Sequence, residues 1–135
     1  MTTRQPTSPA SSDDWVGIPW RAGGSDRSGC DCWGLVRLWY RERRGVELPA
    51  ADDAVAAAVH DAETASARWE QVERDRMRVG DLLLMRMPGG RVHVGLVWPD
   101  AAHMLHILDR MPSRVEAIAG SPWAALITGV WRWRG

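Results

Sequence analysis

Between Asp31 and Gly45 the sequence carries a helix's start, apolar stripe and stop together. Cys32, Leu35, Val36 and Trp39 fall at i, i+3, i+4 and i+7, one face of a 3.6-residue period. Asp31 is a side chain that accepts from the open amides of a first turn. Gly45 suits the left-handed residue that ends a helix, just beyond a charged last turn from Arg41 to Arg44. A helix apolar on one face has to bury that face against another layer.

The rest of the chain supplies the layer. Val79-Gly80-Asp81 turns into a strand over Leu82–Met87, Pro88-Gly89-Gly90 breaks it, and Val92–Trp98 resumes. Pro99-Asp100 turns into Met104–Leu108, and Arg114–Ile118 and Ile127–Trp133 complete a meander. Ala51–Arg68, alanine-rich with acidic residues near its start, reads as a second helix. Helices first and antiparallel strands after them predict an α+β fold with segregated layers.

The 135 residues suit one domain, at 15–135, and Met1–Asp14 reads as a flexible polar tail without the apolar stretch of a signal peptide. Seventeen basic residues balance seventeen acidic ones, which argues against a nucleic-acid or membrane-surface partner. No apolar run approaches the roughly eighteen residues of a membrane span. Cys30 and Cys32 are too close in sequence for an unstrained disulfide, so free thiols and synthesis in a reducing compartment are expected.

Cys32 stands in the first helical turn, where open amides and the positive helix end are expected to lower a thiol's pKa. A nucleophilic cysteine needs a base. Of the four histidines, His60 falls in a polar stretch and reads as solvated surface, whereas His93 is central in the run Val92–Val97. If Pro99-Asp100 is a two-residue hairpin turn, paired residues sum to 199 and His106 lies directly opposite His93. His106 is then placed to fix the tautomer of His93, while His103 has the opposite parity and points away. Taken separately, a helix-face cysteine and a strand histidine are ordinary core residues; the joint pattern points to catalysis. Cys-x-Cys with His-x-x-His lacks the spacing of structural zinc sites, so no metal or other cofactor is expected.

Four strings, Gly17–Gly24, Gly29–Val36, Val79–Met85 and His93–Leu96, resemble the NlpC/P60 superfamily of cell-wall cysteine peptidases. Asp31-Cys-Trp-Gly-Leu-Val36 is similar to the form found in phage tail-tip members. The resemblance implies a papain-like fold, with N-terminal helices packed on a five- to six-stranded antiparallel sheet. It implies Cys32 as nucleophile, His93 as general base and His106 as the residue that orients the base. The amide of Cys32 would contribute to an oxyanion hole.

The implied substrate is the stem peptide of peptidoglycan, cut between D-glutamate and the diamino acid. Asp31 matches an acidic residue that in some members contacts the substrate's amine. Trp20 stands where the family often has tyrosine, and Trp33 replaces a smaller residue, which implies a narrower groove. Arg21, just before Gly23-Gly24, is a candidate for a substrate carboxylate. The expected setting is a phage-like tail: synthesis in the host cytoplasm, assembly with tail-tip or hub proteins, and action in the periplasm or cell wall. Trp123, Trp131 and Trp133 are candidates for docking to those proteins, with core and sheet packing as the alternative. A structural tail-tip subunit with a silent peptidase fold is the competing reading.

Overall fold

A computed structural model describes residues 14–49 and 68–135. The tail expected over Met1–Asp14 lies outside them except for Asp14, as do His60 and, except for Arg68, the second helix. A small hairpin, β1 (Ser25–Asp26) and β2 (Gly29–Cys30), leads into helix α1 (Cys32–Arg44). The strands that follow are β3 (Trp69–Val72), β4 (Leu82–Arg86), β5 (Val92–Val97), β6 (His103–His106) and β7 (Arg114–Ala117). Helix α2 (Pro122–Leu126) then runs into β8 (Ile127–Trp133).

Helix α1 starts and stops where the sequence places its ends. Asp31 Oδ1 accepts from the Gly34 amide at 2.7 Å, and Gly45 adopts φ 65° with its amide bonded to the Tyr40 carbonyl. The Asp-Cys-x-Gly spacing has a steric cause as well. A Cβ at Gly34 would stand 1.7 Å from the Gly24 carbonyl oxygen, which itself accepts from the Asp31 amide. The first turn of α1 therefore rides directly on the glycine loop before it.

The large sheet has six strands in the order β3-β8-β4-β5-β6-β7, all neighbours antiparallel. It is α+β, as expected, but it is no simple meander, because the last strand inserts between β3 and β4. Asp81 holds that insertion in place. Buried at the entrance to β4, it takes a two-pronged hydrogen bond from Arg132 of β8 at 2.9 Å on each oxygen and caps its own turn through the Arg78 amide. Strand β3 and helix α2 escape the sequence reading. Trp69-Glu-Gln-Val72 is a four-residue strand with one buried side chain, and α2 is little more than one turn.

Alternation sorts the sheet into two faces. Leu82, Leu84, Val94, Leu96 and Leu105 pack with Leu35, Val36 and Trp39 beneath α1. Leu83, Met85, Val97, Met104 and Val130 face the other way, where Trp123 and Leu126 of α2 cover them. Trp133 packs with Tyr40 and Trp69 in an edge-to-face cluster at 5.1 to 6.4 Å, and Trp131 is half-buried against the same core. These two tryptophans are packing residues.

Candidate active site

The hairpin joining β5 to β6 pairs Leu96 with Leu105 and Val97 with Met104, a sum of 201. The expected register of 199 is thus off by two, because the loop takes in two further residues, Ala101 and Ala102, after Asp100. Asp100 makes the difference: its side chain accepts from the Ala102 amide at 2.9 Å and bonds His103 Nδ1 at 2.7 Å, closing a turn that holds Pro99–Ala102 outside the ladder. His103 is committed there, away from the other histidines.

A shift of two conserves parity, so His93 and His106 still share a face. They are diagonal neighbours, not opposite ones, and the β5–β6 ladder lapses beyond Leu96–Leu105. Gly95 lies between them, and a Cβ there would stand 3.5 Å from His106 Cβ and 3.2 Å from Met85 Cε. Within this opening His93 Nε2 and His106 Nδ1 are 3.0 Å apart. The other ring nitrogen of His106, Nε2, lies 2.8 Å from Glu116 Oε2 on β7. Trp123, half-buried, stacks edge-on over His106 at 4.8 Å and lies tilted beside His93 at 6.4 Å, so this tryptophan roofs the pair.

Cys32 arrives from the α1 side. It lines a cleft of about 350 Å³ together with His93, Trp20 and Asp31, and Ile107 forms part of the floor. The exposed side chains at the cleft's rim are Arg91, Asp109 and Arg110. Arg110 holds φ 63°, an uncommon conformation for a residue with a side chain and one that recurs at functional sites.

Three residues assigned to substrate by sequence reasoning are engaged elsewhere. Trp33 is buried in the core beneath α1, with its indole N–H donating to the Pro49 carbonyl at 3.0 Å. As the second residue of α1 it points inward, into the packing layer. Arg21 donates to Ser28 Oγ at 3.1 Å across the small hairpin, because its backbone pairs with Cys30 and turns it that way. Asp31 lines the cleft, but both its oxygens serve the backbone: Oδ1 the Gly34 amide and Oδ2 the Gly23 amide at 3.0 Å. Three residues at or beside the cleft that sequence reasoning did not name are Arg91, Arg110 and Glu116. Arg91 and Arg110 lie in loops, beyond any periodic pattern, whereas Glu116 shares the parity of Arg114, which pairs with His106.

The electrostatics also differ from expectation. Burial pushes the Cys32 thiol up, and the amides of Val94, Trp33 and Cys32 oppose that rise without cancelling it. Burial lowers His93 to about 4, helped by repulsion from His106 and Arg91. The positive end of α1 is therefore outweighed by desolvation, and at neutral pH the cleft holds a protonated thiol beside a neutral imidazole. Such a pair is chemically able to work by general-base catalysis, with the proton leaving sulfur as the sulfur attacks. Cys30 is wholly buried, its Sγ bonded to the Asp26 carbonyl at 3.2 Å and its thiol pushed up to about 12, chiefly by burial. It is an inert packing residue.

Comparison with known proteins agrees with this architecture. Over 83 residues the chain is 35% identical to the murein DD-endopeptidase MepS/murein LD-carboxypeptidase of Escherichia coli K12, covering 62% of this chain and 39% of that protein. Over 84 residues it is 31% identical to the probable endopeptidase NlpC of the same organism, covering 61% and 48%. The chain thus spans less than half the length of these curated relatives. Among solved structures, the NlpC/p60 domain of the peptidoglycan hydrolase SagA superposes with a TM-score of 0.62 at 22% identity, covering 88% of this chain and 90% of that one. NlpC1 of Trichomonas vaginalis superposes with a TM-score of 0.67 at 17% identity, covering 91% and 42%. These likenesses establish the fold. The model of the NlpC/P60 family matches residues 17–132, nearly the whole chain, and the chain belongs to that family.

Proposed function

We propose that the chain is a cysteine peptidase cleaving an amide bond in the stem peptide of peptidoglycan, with Cys32 as nucleophile, His93 as base and His106 as the residue that orients the base. The observation that carries this reading is the meeting of Cys32 and His93 in one cleft, with His106 behind His93 at 3.0 Å. As the Cys32 sulfur attacks the substrate's carbonyl carbon, His93 takes the thiol proton. The first-turn amides of Cys32 and Trp33, which bear on the sulfur, are suited to the developing oxyanion. Collapse breaks the C–N bond, His93 protonates the leaving amine, and water hydrolyses the thioester with His93 again as base.

The murein and peptidoglycan enzymes among the relatives support the substrate class. Arg91 and Arg110 at the rim suit the free carboxylates that flank a D-glutamyl–diamino acid bond, the role assigned to Arg21 by sequence alone. A thiol with an imidazole does not cut glycosidic bonds, which as a rule need paired carboxylates. Incubation with defined muropeptides, read by mass spectrometry, tests the reading. Cleavage of stem peptides lost in Cys32→Ala is expected; cleavage that survives that substitution, or release of reducing sugar ends, overturns it.

Carriage on a phage-like tail is the remaining part of the proposal, supported by the string Asp31-Cys-Trp-Gly-Leu-Val36. Mass spectrometry of purified tail particles tests it. Absence of the chain from such particles removes this part and leaves the peptidase reading standing.

A further inference from the structure

We propose that Glu116 is a positioning residue of this site: its carboxylate sets the tautomer of His106, which in turn leaves Nδ1 of His93 as the nitrogen that takes the thiol proton. The inference rests on the peptidase reading for its consequence, but its geometry stands apart from any substrate.

The argument passes through three links. Glu116 receives three groups that favour its anion. His106 Nε2 lies 2.8 Å from its Oε2, Arg114 Nε lies 3.2 Å from the same oxygen, and the Trp123 indole N–H donates to the carboxylate. Burial opposes ionisation, but these bonds outweigh it and hold the carboxyl below its ordinary range. An ionised carboxylate only accepts, so the proton between the two residues sits on His106 Nε2.

His106 is fully buried, and burial keeps it neutral despite the pull of Glu116. A neutral imidazole with its proton on Nε2 presents a lone pair at Nδ1. That lone pair faces His93 Nε2 at 3.0 Å, and two facing lone pairs would repel, so His93 Nε2 is the donor. His93 is neutral as well, which leaves its Nδ1 unprotonated. The opposite arrangement would require a proton on Glu116. One carboxylate on β7 thus sets the base on β5, two strands away.

Long-range ¹H–¹⁵N spectra of the imidazoles in labelled full-length protein test this without substrate. The wild type is expected to show both His93 and His106 protonated at Nε2. Glu116→Leu removes the acceptor and is expected to give mixed tautomers and to lower kcat at least about tenfold with KM little changed. Glu116→Gln keeps an amide oxygen that can accept from Nε2–H but adds an NH2 that can donate, and is expected to fix the tautomers less firmly, with kcat between that of Glu116→Leu and wild type. A wild-type spectrum with either histidine protonated at Nδ1 overturns the proposal, as does a folded Glu116→Leu with unchanged tautomers and kcat. Glu116→Gln with tautomers and kcat further from wild type than those of a folded Glu116→Leu also overturns it, because the acceptor oxygen would then count for nothing. Should Glu116→Leu fail to fold, the wild-type and Glu116→Gln spectra decide. A wild type that cleaves no stem peptide counts against the peptidase reading, while the tautomer spectrum still decides this one.

Discussion

His93 Nε2 and His106 Nδ1 stand 3.0 Å apart although the two residues do not face each other across the sheet. Their contact is diagonal, and it exists because Gly95 leaves room and the ladder lapses where they meet. No ladder pairing holds the two rings together, so each depends on the other and on the groups packed round them. His93→Ala is therefore expected to lower kcat/KM by about a thousandfold or more, the scale of a lost general base. His106→Ala should cost less, because His93 stays in the cleft without its orienting partner. His103→Ala, which only loosens the Asp100 turn, should be within about twofold of wild type. Steady-state kinetics on one muropeptide checks all three, and an essential His103 would refute the assignment.

The two cysteines should separate by chemistry. Cys32 is half-buried at the cleft, whereas Cys30 has no exposure and a thiol pushed up to about 12. Iodoacetamide is expected to modify Cys32 first. Because burial raises the Cys32 thiol as well, its rate should keep climbing above pH 8 and show no plateau near pH 6. Peptide mapping after timed alkylation reads both results; a plateau near pH 6 would mean a resting thiolate.

How much of this was legible beforehand depended on whether the signal was periodic. Helix α1 was, down to Asp31 and Gly45, because capping chemistry is local. The shared face of His93 and His106 was also legible, because parity survives any even slip in register. The register itself was not, since the Asp100 side-chain turn that lengthens the loop is one of several that Pro-Asp permits. The place of β8 between β3 and β4 was hidden for a different reason. Strand order is settled by contacts such as Asp81 with Arg132, which lie far apart in sequence. The thiol's raised pKa was missed because the helix end is visible in sequence and burial is not.

Activity and stability should both fail on the acid side. Burial chiefly holds His93 at about 4 and also lowers His106, so between about pH 6.5 and pH 4 the unfolded chain binds more protons than the native one. Stability therefore rises with pH through that window, is fully present above it, and is lost as pH falls. Glu116, also held low, extends the loss further down. Thermal unfolding followed by circular dichroism from pH 4 to 8 should show a falling Tm on acidification. The acid limb of kcat/KM, read where the protein is still folded, should lie well below the ordinary imidazole value of about 6.5. A limb at that ordinary value would mean that His93 is solvated.

Arg91 and Arg110 stand at the cleft's rim, while Arg21 is bonded to Ser28 on the hairpin. Replacing a charge-assisted contact to a substrate carboxylate typically removes about 1.5–3 kcal/mol, or roughly ten- to a hundredfold in binding. Alanine at Arg91 or Arg110 is expected to raise KM on that scale with little change in kcat, and Arg21→Ala to change KM less. Amidating the substrate's carboxylates should remove the difference between wild type and the Arg91 or Arg110 variant. An unchanged ratio would place carboxylate recognition elsewhere.

Gly34 connects the fold to the chemistry most directly. A Cβ there would stand 1.7 Å from the Gly24 oxygen and 2.9 Å from Asp31 Oδ1, so alanine must push the glycine loop off the first turn of α1. Overpacking of this kind destabilises by about 1–3 kcal/mol. The same displacement would disturb the Asp31 cap and the amides beside the Cys32 sulfur. Gly34→Ala is therefore expected to lower Tm by several degrees and to reduce kcat by more than the stability loss explains, even at temperatures where the protein remains folded. As a control, alanine at the exposed Gly89, which has a left-handed φ of 92° but open space around it, should lower Tm through backbone strain alone and leave kcat unchanged. If Gly34→Ala and Gly89→Ala lose Tm alike and neither loses kcat, the loop's seat on α1 is not what holds the nucleophile in place.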